Sequence, residues 1–137
     1  MIEDISFQVL LPDDFETAII KVTDALRAEG FGVITKIDVK ATLKKMVNED
    51  FHPYIILGAA NPALVHKALL DEPLVGLFLP CNVTVEETEN GSLVNLLNPK
   101  AMVLAHPMMG YNPVLIEVVE DAYTRLSRVA DNLKAGD

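Results

Sequence analysis

The segment "GLFLPCNVTVEETENGSLVNLL", residues 76–97, decides the centre of the predicted fold. Asn90-Gly91 is the strongest short hairpin signal in the chain, since these residues accept the backbone angles of a two-residue turn. The apolar stretches on either side should therefore pair as antiparallel strands, the first over residues 76–87 and the second over "SLVNLL". Pro80 lies inside the first stretch, and because proline cannot donate to a sheet hydrogen bond, it predicts a bend or bulge there.

The spacing of apolar residues before this hairpin predicts two more strands and a helix between them. "ISFQVLL" and "FGVITKI" alternate as half-buried strands do, and we expect them to lie side by side. The helix between them, "PDDFETAIIKVTDALRAEG", has Asp13 as its expected N-cap and Gly30 as its left-handed stop. A shorter helix should begin at Asp38 and reach about Val47, before the strand "YIILGA".

Three Asn-Pro pairs, Asn61-Pro62, Asn98-Pro99 and Asn112-Pro113, each precede a helical pattern. An asparagine oxygen accepts from the free N–H groups of a first helical turn, and proline at the first position loses no partnered donor. The last pair starts a long helix ending near Leu133, with the apolar stripe Leu115, Val118, Val119, Ala122, Leu126, Val129 and Leu133.

The order of these elements predicts an α+β domain, with a mainly antiparallel sheet and helices packed on one side of it. A length of 137 residues, half of them apolar, is suited to a single domain over 1–137.

The charge balance excludes several classes of partner. Twenty acidic against eleven basic side chains give a formal charge of −9, which repels phosphate backbones and anionic lipid surfaces. No apolar run approaches the roughly 20 residues of a membrane span, and the acidic N-terminal segment "MIEDISF" is unlike a signal peptide. We therefore expect a cytoplasmic protein that binds neither nucleic acid nor membrane.

The single cysteine, Cys81, excludes an intrachain disulfide, and the chain has no CxxC or His/Cys cluster for structural zinc. The methionines of "HPMMGY" are interpreted as core packing rather than as soft-metal ligands. The sequence thus predicts no metal site and identifies no cofactor.

One candidate site follows from the bend at Pro80, which could turn Cys81 and Asn82 toward a cleft. If the strand "YIILGA" is its neighbour, the helix that Asn61 caps begins beside Cys81, and its free N–H groups favour an anion or a thiolate. His66, on the second turn, could be an acid or base. In the alternative reading, Cys81 is a small buried apolar residue, Asn82 satisfies backbone groups and His66 is an ordinary partly buried histidine.

The segments "GFGVITKIDVKATLKKMV", "HPYIILGAANPALVHKAL", "GLFLPCNVTVEE" and "LNPKAM" resemble the DUF302 family, also called TT1751-like, in this order and spacing. The resemblance implies an α+β sheet backed by helices and a dimer, and little about activity. Family members commonly have a second cysteine where this chain has Ala60, so a dithiol or two-cysteine metal site is not expected. Carried over by position, the characteristic residues are Asp38, Lys40, Asn61, Pro62, His66, Pro80, Cys81 and Asn82.

The leading functional hypothesis is a small domain that binds a small, anionic molecule in a cleft bounded by Asn61, His66, Cys81 and Asn82. One alternative is a thiol-dependent enzyme with Cys81 as nucleophile and His66 as base. Another is a structural module that forms dimers. A homodimer is also expected from the strand "SLVNLL", whose leucines Leu93, Leu96 and Leu97 would need cover if that strand ended the sheet.

Overall fold

The computed structural model describes residues 4–136; the first three residues of the acidic N-terminal segment and Asp137 lie outside it. The first six elements alternate between strands and helices, and Pro73–Phe78 forms a 3₁₀ helix between α3 and β4. The elements are β1 (Ser6–Leu11), α1 (Phe15–Ala28), β2 (Gly32–Asp38), α2 (Val39–Val47), β3 (Tyr54–Ala60), α3 (Pro62–Asp71), β4 (Cys81–Thr88), β5 (Gly91–Leu97), α4 (Pro99–Met102), α5 (Pro107–Gly110) and α6 (Pro113–Lys134).

The strands form one antiparallel sheet in the order β1-β5-β4-β3-β2, which confirms the predicted α+β class. The predicted hairpin of β4 and β5 is present, but its two-residue turn is Glu89-Asn90 rather than Asn90-Gly91, because Gly91 already pairs with Thr88 in the ladder. The expectation that the first two strands are neighbours is wrong, because α1 carries the chain across to the far edge of the sheet. The expectation that β5 ends the sheet is also wrong, since β5 lies between β1 and β4.

The start of α1 differs by one residue from the prediction. Asp14, not Asp13, is the N-cap and accepts from the Thr17 N–H at 3.0 Å, because Asp14 is the last extended residue before the helix. The carboxylate of Asp13 instead pairs with Lys21 at 2.8 Å. Gly30 adopts a φ of +86°, the left-handed angle expected of it after the helix.

The predicted strand over residues 76–87 is wrong in its first part. Pro73 begins a 3₁₀ helix that ends at Phe78, and the Glu72 carboxylate caps it by accepting from the Leu74 N–H at 2.9 Å. The peptide bond before Pro80 is cis, and the sheet ladder starts at Cys81. Pro80, which has no N–H to donate, therefore precedes the strand instead of bending it.

The buried apolar residues form two clusters. The first, here the sheet cluster, fills the space between the sheet and helices α1 and α6, and it contains Val9, Leu11, Ala18, Val22, Leu26, Phe31, Leu57, Ala59, Val83, Val85, Val94, Leu96, Ala122, Leu126, Val129, Ala130 and Leu133. The second, here the helical cluster, contains Ala68, Val75, Val103, Met109, Leu115, Val118 and Val119.

Helix α6 joins the two clusters, because its apolar stripe faces the helical cluster in its first half and the sheet cluster in its second. Every residue of the predicted stripe is buried. No helix within residues 4–136 is both long and apolar enough to cross a membrane.

Side chains alternate between the two faces of the sheet. Those of β1, β5 and β4 that point away from the sheet cluster are half-buried or exposed, and we call this surface the open face. It consists of Ser6, Gln8, Leu10, Asn82, Thr84, Glu86, Thr88, Leu93, Asn95 and Leu97.

Candidate functional site

A pocket of about 50 Å³, partly open to solvent, lies between the two clusters. The end of β3, the start of β4, the start of α3, the 3₁₀ helix and α6 contribute to its wall. The lining residues are Phe31, Ala59, Ala60, Asn61, Leu64, Val65, Ala68, Val75, Leu79, Cys81, Pro99, Val103, Leu115, Val118, Val119 and Ala122.

Alanine side chains account for much of this space. Ala59 and Ala60 end β3, Ala68 lies on α3 and Ala122 on α6, and all four line the pocket. Each leaves unfilled the volume that a leucine or valine would occupy in a close-packed interior. Sequence reasoning missed these residues, and their signal was weak, because an alanine on an apolar helix stripe is also a good helix former.

Asn61 is one of the two polar side chains in the wall. It ends the extended segment of β3 and caps α3, where Oδ1 accepts from the Leu64 N–H at 3.2 Å. The residue is 8% exposed. The predicted cap is therefore observed, and Asn61 lines this pocket.

Cys81 is the other polar side chain. It pairs with Ala59 in the antiparallel ladder of β3 and β4, and its side chain is on the same face of β4 as the buried Val83. Burial raises the pKa of the Cys81 thiol to about 11, so the thiol is neutral near pH 7. The side chain is half-buried, in agreement with a position at the pocket wall.

Pro80 lies across the sheet from this pocket. A Cβ built on Gly58 would come 2.8 Å from Cγ of Pro80 and would collide with the side chain of Thr35. Gly58 thus allows the proline ring to pack closely over β3, on the face opposite Cys81. Pro80 therefore packs closely at the start of β4 and does not form the predicted bulge.

His66 and Asn82 lie outside the pocket. His66 is exposed on α3, because the positions that face the wall are Leu64, Val65 and Ala68, and a residue between them on the helix points away. Asn82 is exposed on the open face, since it follows Cys81 in a strand and must point the other way. The structure brings together two of the four predicted site residues.

The chemistry of the wall follows from its composition. Among the described residues 4–136, the lining contains no charged side chain, no histidine and no thiol other than that of Cys81. Within the same residues, no group of three or more His, Cys, Asp or Glu side chains could hold a metal ion. An anion would have no cation to pair with here, whereas a neutral apolar group would contact carbon on nearly all sides.

The comparisons with known proteins agree with this architecture. The family model for the domain of unknown function DUF302 matches residues 7–133. The crystal structure of an uncharacterized conserved protein DUF302 from Bacillus stearothermophilus is similar, with a TM-score of 0.81 and 28% sequence identity over 94% of this chain and 98% of that one. No curated protein matches the chain.

Proposed function

This chain belongs to the DUF302 family, and from that premise we propose that it binds a small apolar molecule in the pocket between the sheet cluster and the helical cluster. The observation that carries the proposal is a partly open pocket whose wall is apolar apart from Asn61 and Cys81. Apolar pockets with a few polar groups are the usual form of small-molecule sites.

The size of the pocket limits the ligand. Its volume of about 50 Å³ is well below the roughly 150 Å³ of an apolar cavity that admits benzene. The ligand is therefore a molecule of few heavy atoms, or the end of a longer chain that enters from the open side. We replace the expected anion by an apolar ligand because the wall offers no positive charge and the chain carries a net charge of −9.

Methyl NMR spectra of the alanine, valine and leucine residues test this proposal. Titration with xenon, acetone and short alcohols should shift the methyl signals of Ala68 and Val118 and leave those of Val94 unchanged. Ala68→Leu fills the pocket and should weaken binding about tenfold or more, since each buried methylene that no longer fits is worth about 0.8 kcal/mol. Ala25→Leu, on the far side of the sheet cluster, is the matched control and should bind as the wild type does.

A thiol-dependent enzyme with Cys81 as nucleophile is the second candidate, and two observations weigh against it. Burial raises the pKa of the thiol, whereas catalytic thiolates have lowered values. His66, the expected base, is exposed outside the pocket. We propose a lining role for Cys81, in a protein whose single cysteine is suited to the reducing cytoplasm.

We also propose a homodimer that forms through the open face. The sequence predicted a dimer because β5 would end the sheet and need cover, but β5 is an internal strand. The composition of the open face supports the dimer instead. Among the ten described positions of the open face one is charged, Glu86, although the chain as a whole is strongly acidic. Leu10, Leu93 and Leu97 give it apolar area, so a second copy could cover this face without bringing like charges together.

Sedimentation equilibrium at micromolar concentration tests the dimer. Wild-type protein should have twice the chain mass, and Leu10→Lys combined with Leu97→Lys should give a monomer. Ile20→Lys places one lysine on an exposed residue of α1, away from the open face, and should leave the dimer intact. A wild-type monomer would refute this part of the proposal and leave the pocket unaffected.

A further inference from the structure

Strands β1 and β2 form the two edges of the sheet, and they differ in how their outer sides are protected. Edge strands commonly carry bulges, prolines or charged side chains, which keep other chains from pairing with them. β2 has a register shift between Val33 and Thr35 and carries Lys36. β1 pairs with β5 without a shift over Ser6–Leu11, and its sequence SFQVLL contains no charged residue and no proline. The edge at β1 therefore lacks the usual protection.

The direction of the hydrogen bonds shows which backbone groups of β1 are free. The Asn98 N–H donates to the Ile5 carbonyl oxygen at 2.9 Å, so the backbone of Ile5 faces β5. Because this direction alternates along an antiparallel strand, the N–H and C=O groups of Ser6, Gln8 and Leu10 point away from β5. Among residues 4–136, no protein group bonds to these outward N–H and C=O groups. They form a row of donors and acceptors that one more strand would satisfy.

A groove of about 240 Å³ borders this edge. Residues 8–13 form one part of its wall, and Lys21 of α1 forms another. Leu133, Lys134 and Gly136, at the end of α6, complete it. Extended peptides add to a sheet at edge strands of this kind, where backbone hydrogen bonds give affinity and the side chains beside the strand give specificity.

The charges of the groove favour an acidic occupant. The carboxylate of Asp13 pairs with Lys21 at 2.8 Å, so these two charges offset each other. Lys134 is exposed and forms no ion pair with any residue of the described range 4–136. A second copy that paired its own β1 here would bring another unpaired Lys134, because a two-fold interface places the same surface on both sides. A carboxylate would instead pair with this lysine.

We propose that the edge of β1 binds an extended segment of another protein, which adds to the five-stranded sheet as a sixth strand and places a carboxylate beside Lys134. The outward backbone groups of Gln8 and Leu10 supply the pairing. The carboxylate, from a chain end or from an acidic side chain, sets the position of the segment along the groove. The inference concerns a different part of the molecule from the apolar pocket and does not depend on the ligand proposed there.

Amide hydrogen exchange followed by NMR tests the strand addition, with acetyl-Thr-Val-Thr-Val-Thr bearing a free terminal carboxylate as the probe. At saturation, exchange should slow about tenfold or more at Gln8 and Leu10 and change little at Phe7 and Val9, whose N–H groups already face β5. The same peptide with N-methyl groups in place of its backbone N–H groups should have no effect. Equal binding of both peptides, or unchanged exchange at Gln8 and Leu10, would overturn the proposal.

A second set of measurements tests the carboxylate. The wild-type protein should bind the free acid roughly threefold to fivefold more tightly than the terminal amide of the same peptide, as expected of an exposed ion pair. Lys134→Gln should remove this preference, whereas Lys40→Gln, on an exposed residue of α2, should keep it. A wild type without the preference would overturn the role of Lys134.

Two further observations identify the occupant. An amide peptide that ends in glutamate distinguishes the sources of the carboxylate: affinity equal to that of the free acid would support an acidic side chain, and affinity equal to that of the neutral amide would support a chain end. Slow exchange at Gln8 and Leu10 without peptide, increasing with protein concentration, would show that a second copy covers the edge and would overturn the proposed partner.

Discussion

The sheet cluster and the helical cluster are built from the same kinds of residue, and helix α6 contributes to both, yet they differ in packing. The sheet cluster rests on a continuous surface of alternating strand residues, and large side chains such as Leu57, Leu96 and Leu126 fill it. The helical cluster lies between short elements, among them a six-residue 3₁₀ helix, and borders the 50 Å³ pocket. An apolar stripe thus packs closely against an extended sheet and leaves room where short helices meet.

The largest expected effect compares two leucines of α6, both 0% exposed. Leu126→Ala removes a side chain from the filled cluster and should lower the free energy of unfolding by about 4 kcal/mol. Leu115→Ala should cost about 2 to 3 kcal/mol, because part of the Leu115 surface already borders the pocket and makes fewer contacts. Urea denaturation of both variants measures the difference. If the two losses were equal, the helical cluster would be as well packed as the sheet cluster.

Cys81 lies where the two clusters meet, and the pKa of its thiol reports how far water is excluded from that boundary. The folded-state pKa of about 11 is above the unfolded value of about 8.5, so the thiol contributes stability that is present below pH 8.5 and is lost as the pH rises through 11. The loss should be on the order of 1 to 2 kcal/mol, since the side chain is half-buried.

Urea melts of wild-type protein and of Cys81→Ala at pH 8 and pH 10.5 isolate this contribution. Lysine and tyrosine titrate in both proteins, so their effect cancels when the two are compared. The wild type should lose more stability over that interval than the variant does. The rate of iodoacetamide alkylation should keep rising to about pH 11. A rate that levels off near pH 8.5 would mean that water reaches the thiol freely, and only a midpoint well below that value would favour the enzyme hypothesis.

The smallest effect compares one added methylene in each cluster. Val129→Ile overpacks the sheet cluster, where Val129 is fully buried, and should destabilise by about 1 kcal/mol. Val118→Ile extends into the pocket and should be neutral or slightly stabilising. Thermal melts resolve the sign. A destabilisation of the same size at Val118 would indicate that the pocket cannot accept even one carbon atom.

Local patterns predicted much of the fold. The β4-β5 hairpin, the three Asn-Pro helix starts and the apolar stripe of α6 were all confirmed, because each depends on interactions within a few residues or on a single helical period. The stretch around Pro80 was misassigned, since a short apolar run fits a buried strand and a 3₁₀ helix equally well.

The sequence by itself determined the antiparallel α+β class and the caps at Asn61, Asn98 and Asn112. Tertiary structure alone decided the strand order, which depends on pairing between residues far apart in the chain, and so placed β1 and β2 at opposite edges. It also decided that Asn61 and Cys81 share a pocket while His66 and Asn82 face solvent. Chain proximity suggested all four, but the two-residue period of a strand and the 3.6-residue period of a helix direct neighbouring side chains to different surfaces.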